Sequence, residues 1–228
     1  MHIRLPPSEG KSPAGKGKWA PGGGKFGRQL REERLIVAAE LANATPTQLK
    51  IPPSLQSSAQ LANGRLLSGS PCLPAWRRYS GVVFNGLDAT GLNGEEKVAA
   101  DSRIVVVSGL LGLVGFDDAI PDYRAPIDAR TPALGNLASW WRPHLTRVIH
   151  QLDGDIIDLL PQSHRHALVV PADRGWTVDF LHGTTRGGHD AKFAKGRFAR
   201  WLLTNDIRSW KKWREDGWSV EVIPPTSN

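Results

Sequence analysis

Asp117, Asp118, Asp122, Tyr123 and Arg124 crowd one short stretch and offer an acid, a base and an electrophile at a single turn. If the chain is an enzyme, Asp117, Asp122 and Tyr123 are its candidate acid–base groups. Paired aspartates at a turn also cap helices or hold a nearby arginine, so residue type alone leaves both roles open. A second constellation lies downstream. Lys192, Gly196 and Arg200 recur at every fourth residue, with Lys195 beside Lys192, and on a helix that spacing stacks them along one face. Glycine in mid-helix costs about 1 kcal/mol relative to alanine, so Gly196 predicts close approach by another backbone or by a ligand. A bare glycine with a cation one turn away on each side suits a phosphate-bearing partner. A solvated basic face with a packing glycine is the plainer alternative.

Two further groups are weaker. Gly10-Lys11-Ser12 follows an expected strand but lacks the opening glycine of a phosphate-binding loop, so it predicts at most an anion contact through Lys11 and nearby amides. His164-x-His166 and His189-Asp190 lack the i, i+4 spacing of a helical zinc site, and Cys72 is the only cysteine. No metal and no cofactor is predicted.

The elements that must carry these residues follow from pattern. Ile104–Val107 is a β-branched apolar run that feeds a turn with glycines at 109, 112 and 115, as α/β proteins do where a site opens at a sheet edge. Further strands are expected at residues 2–5, 155–160, 167–171, 177–182 and 219–223. Helices are expected at 28–42, 95–100, 136–151, 190–205 and 207–216, with Pro143 starting or bending the third. Residues 6–28, rich in Pro, Gly and Lys, should form a mobile loop or a backbone closing over something. Residues 43–78, broken by five prolines, should hold short helical turns, and 79–89 is ambiguous between strand and helix. The reading is a single domain over 1–228 of mixed α/β (α+β) class, with one extended mixed sheet flanked by helices.

Composition bounds the partners. The chain has 228 residues and a net charge of +7, which favours polyanions, nucleic acid foremost. No run is long enough to span a membrane, and the N-terminus has no apolar core of a secretory signal, so the expected location is cytoplasmic. The nine tryptophans read mainly as core and as cover for Lys and Arg stems.

Five blocks in order carry a resemblance. They are Pro6-Pro7-Ser8-Glu9-Gly10-Lys11; Tyr79-x-Gly81 with Phe84-x-Gly86-Leu87; Ser108-Gly109-Leu110-Leu111-Gly112 with Pro121-x-Tyr123-Arg124; Trp140 or Trp141 before a helix, then Ile157-Asp158-Leu159 with Ser163; and Lys192-x-x-Lys195-Gly196-x-x-x-Arg200. Together the chain resembles the YaaA family of peroxide stress proteins. The resemblance implies a mixed α/β fold with a basic cleft and DNA binding through a helix-hairpin-helix-like element, here within 43–78. It also implies a role in limiting oxidative damage. No reaction follows from it. The expected partner is DNA, double-stranded or distorted, held through its phosphates with little sequence preference by Lys11, Lys192, Lys195 and Arg200, with Gly196 admitting the backbone and Tyr123 and Arg124 lining the same cleft. The alternative is an enzyme acting on a nucleotide, a nucleobase or another small anionic metabolite in that cleft.

Overall fold

A computed structural model describes residues 1–188 and 190–226; His189 lies outside the described residues. Ile104–Val107 is buried completely, as a strand covered on both faces must be. It forms the heart of β2 (Ile104–Ser108), which pairs in parallel with β1 (His2–Leu5). β1 pairs in parallel on its other edge with β4 (Ile156–Asp158), and β4 with β5 (Gly175–His182). Antiparallel strands close both ends: β3 (Gly112–Gly115) on β2, and β6 (Thr185–Arg186) and β7 (Trp218–Ile223) on β5. The result is one seven-stranded mixed sheet.

Helices flank it: α1 (Gly27–Asn43), α2 (Val82–Leu87), α3 (Gly94–Arg103), α4 (Leu137–Ile149) and α5 (Ala191–Trp201). Pro143 sits inside α4, which runs on through it. The ambiguous 79–89 stretch resolves to α2. Residues 43–78 hold short pieces as expected, the longest helix among them Gln56–Gly64. The β2–β3 turn needs a glycine at 112: its φ is +67°, and a Cβ there would lie 2.8 Å from Leu145 Cδ2.

Three expectations are corrected. Residues 167–171 form no strand; Val169 N–H donates to Thr146 Oγ1 at 3.0 Å and Pro171 O turns the chain by accepting from Gly175 N at 3.0 Å, so no edge is presented for pairing. The helix expected over 207–216 is a 3₁₀ segment, Ile207–Lys212. For residues 6–28 the mobile alternative is the one overturned, since residues 12–19 are tied to 70–78: Lys16 and Cys72 exchange backbone bonds of 3.0 Å, Ser12 N donates to Arg78 O at 2.9 Å, and Trp19 N to Ser70 O at 3.0 Å.

Candidate functional site

The three central parallel strands bring distant motifs to one edge. Just past β1, residues 8–12 run beside 78–80 through a Lys11–Tyr79 bridge and a 3.2 Å bond from Ser80 N to Gly10 O. Past β2, the glycine turn leads to Tyr123. Lys11 is placed where these meet. Its Nζ donates to Ser8 O at 2.7 Å and stands 4.3 Å from the Tyr123 ring centroid and 5.6 Å from that of Tyr79. Behind it the two phenols share a 2.7 Å hydrogen bond, and Tyr123 OH shares another of 2.6 Å with Ser108 Oγ, which itself accepts from Leu111 N at 3.1 Å. Burial, reinforced by the nearby Arg124 charge, pushes the Lys11 ammonium down to about 7, against the opposing pull of Asp122 and Glu9. Burial pushes Tyr123 up to about 12. Such an amine is about half free base at pH 7, and in that form it can accept a proton or attack a carbonyl, while both phenols stay protonated as donors.

The aspartates of the 117–124 stretch are spoken for. Asp117 accepts from Trp76 Nε1 at 3.0 Å, and Asp118 caps the turn by accepting from Lys25 N and Gly115 N, both at 2.8 Å. Asp122 pairs with Arg124, whose backbone is held in both directions by the Asn63 amide at 2.9 Å. Tyr123, expected to line a cleft, is buried to 1% exposure with its hydroxyl consumed in the network.

The helix constellation divides. α5 crosses α2 so closely that a Cβ on Gly196 would overlap the Val83 carbonyl and lie 2.6 Å from Leu87 N. Gly196 therefore admits a backbone, and that backbone belongs to the chain itself. Arg200, expected on phosphate, is instead a strut: it pairs with Asp88 at 2.7 Å and Glu96 at 3.4 Å and donates to Gly91 O at 2.8 Å. Lys192 and Lys195 have no carboxylate within ion-pair distance among the described residues. The Lys195 ammonium is pushed down first by burial and next by Arg165, with Asp158 and Asp179 opposing and Lys192 adding to the repulsion. Lys195 thus lies among two other cations, Lys192 and Arg165, and two carboxylates, Asp158 and Asp179, with Arg165 itself 2.9 Å from Asp158.

Sequence reasoning missed Arg4, Arg34, Arg78 and Arg165. Arg34 and Arg78 are structural. Arg34 donates to the carbonyls of Leu111, Leu113, Pro21 and Gly23 at 2.8–2.9 Å and so locks the β2–β3 turn to the 21–24 loop. Arg78 holds the carbonyls of Ser12 and Pro71. An arginine in a strand of apolar neighbours, as Arg4 is, was the available signal for a buried charge.

A family model described as peroxide stress protein YaaA matches residues 1–221. The chain is 31% identical over 215 residues to a UPF0246 protein of Streptomyces coelicolor, covering 89% of this chain and 83% of that one. It is 32% identical over 216 residues to a UPF0246 protein of Corynebacterium efficiens and 30% over 217 residues to one of Corynebacterium glutamicum, covering in each case 90% of this chain and 86% of the relative.

Proposed function

The chain belongs to the YaaA family of peroxide stress proteins, and from that premise we propose that it acts in the peroxide stress response as a DNA-binding protein that grips phosphate backbone with little sequence preference. The observation that carries this reading is the field around Lys192, Lys195 and Arg165, where cations outnumber the carboxylates that could neutralise them. Charges held close together in a partly buried setting repel one another, and a polyanion laid across them relieves that repulsion while releasing its own counterions. The net charge of +7 points the same way. Arg200 is left out of the contact surface because its donors are already paired with Asp88 and Glu96.

Fluorescence anisotropy of a labelled duplex is the test. Lys192→Ala with Lys195→Ala should weaken binding at least tenfold at low salt, equally for unrelated sequences, because phosphate contacts carry no sequence information. Arg197→Ala, which removes a cation already paired with Glu215, should change it little. Unchanged binding in the double variant would remove this face from the reading. A protein that ignores DNA but responds in tryptophan fluorescence to a nucleotide would replace DNA binding with the small-anion enzyme reading.

A further inference from the structure

A second site lies beside β4 and β5, on residues other than those named for DNA save Arg165. Arg4, Asp158 and Thr177 are direct register partners on β1, β4 and β5, so their side chains leave the sheet on one face. Above them Arg142, Arg165 and the 168–172 segment line an open cavity of about 320 Å³, whose apolar lining includes Leu168, Val170, Pro171 and Trp176. That segment is the stretch that forms no strand.

The charges in this cavity do not balance. Arg4 is 3% exposed. Its Nη2 meets Asp158 Oδ2 at 3.0 Å, and Arg165 Nε approaches the same oxygen at 2.9 Å without an aligned N–H. One carboxylate oxygen therefore serves two guanidinium groups, and Arg142 brings a third to the rim. Among the described residues, Arg4 Nε and Nη1 have no hydrogen-bond partner. The contrast with Arg34 is sharp: it is equally buried, at 2% exposure, yet Nε, Nη1 and Nη2 all donate to carbonyl oxygens. Buried donors without acceptors are costly, and a buried unpaired positive charge more so. Fold packing explains Arg34; it leaves Arg4 unexplained.

We propose that this cavity is a binding site for a small phosphate monoester carrying a flat apolar body, of the size of a nucleoside 5′-monophosphate. Three guanidinium groups against one carboxylate leave an excess of two positive charges, which matches a phosphate dianion, and guanidinium forks suit phosphate oxygens. Arg142 and Arg165 line the cavity, and Arg4 lies beneath it as a buried charge that a phosphate would help to neutralise. The volume lies at the small end of the range for ligand sites, roughly 300–1,000 Å³, and the Trp176 and Pro171 side gives a base somewhere to rest. Trp176 Nε1 donates to Asp155 at 2.9 Å, which fixes that wall. The same phosphate chemistry occurs on a free mononucleotide and at the 5′ end of a broken strand.

The full chain should be titrated with 2′-deoxyadenosine 5′-monophosphate, deoxyadenosine, and an oligonucleotide with and without a 5′ phosphate, by calorimetry and by tryptophan fluorescence. The monophosphate should bind saturably and at least tenfold more tightly than the nucleoside. Arg4→Met should lose at least tenfold in affinity, as should Arg142→Ala, whose exposed position makes it safe for folding. Preference for the phosphorylated oligonucleotide over the free monophosphate assigns the site to strand ends, and the reverse assigns it to a metabolite; either upholds the pocket. Absence of saturable binding by any phosphorylated probe, equal binding of nucleoside and monophosphate, or affinity unchanged in both variants overturns it. A duplex with 5′-hydroxyl ends, run on the same samples, reports the lysine face separately, so the pocket and the duplex reading fail independently.

Discussion

At the scale of single residues, Lys11 is the clearest case of position overriding type. In sequence it was one cation in a basic loop. In the fold its amine lies against two aromatic rings, and the loss of hydration outweighs the attraction of the ring faces for a positive charge. This has a consequence for stability. The unfolded chain carries a lysine that releases its proton near 10.4, whereas burial lowers the folded value to about 7. Between those values the unfolded state holds the extra proton, so the contribution of Lys11 to stability rises with pH across that window. Below pH 7 both states are protonated and the folded state bears the full cost of burying the charge. Lys11→Met should therefore be more stable than the parent at pH 7, with the difference shrinking by pH 9.5, as measured by urea midpoints. Parallel pH profiles for the two proteins would mean the amine is hydrated.

At the scale of elements, the crossing of α2 and α5 decides what the Lys-x-x-Lys-Gly-x-x-x-Arg pattern does. The pattern told of a close approach at Gly196 without telling by what. The approaching group is the backbone of Val83–Leu87, with Gly86 in turn facing Phe193, so two glycines from separate blocks meet at one contact. Gly196→Ala should cost the upper part of the ~1–3 kcal/mol typical of overpacking, read as a lowered Tm. A wild-type Tm would show that the helices stand further apart. Helical spacing assigns Ala194, Phe198, Trp201 and Leu202 to a core face; Ala194, Phe198 and Leu202 are in the core, and Trp201 packs against it half-buried. It could not reveal that Arg200 would be met by Asp88 and Glu96, which lie more than a hundred positions away. The expected strand at 167–171 failed for a similar reason: apolar composition is shared by a strand and by the wall of a cavity.

At the scale of the whole molecule, charge is the property that acts over distance. An excess of seven positive charges on 228 residues steers polyanions toward the protein before any contact forms. Binding through phosphates should weaken along a straight line of log affinity against log salt, and each phosphate-contacting lysine removed should flatten that slope by about 1. The Lys192 and Lys195 variants together should flatten it by about 2. A slope near zero in the parent protein would exclude phosphate contact as the source of affinity. Among the described residues, no helix is long and apolar enough to cross a membrane.

The order of apolar and polar residues along the chain determined the fold class, the central strand and the flanking helices, because burial periodicity and turn chemistry are local properties, and five motif blocks carried the resemblance to the family. It also marked Lys11, Asp122, Tyr123 and Lys192 as residues able to do chemistry. Only the tertiary structure decided which of these charges are free. Whether a guanidinium is a strut, as in Arg34 and Arg200, or a buried donor left without an acceptor among the described residues, as in Arg4, depends on acceptors brought in from remote strands and loops. Hydrogen-bond and ion-pair partners are set by distances of about 3 Å in space, and separation along the chain carries almost no information about them.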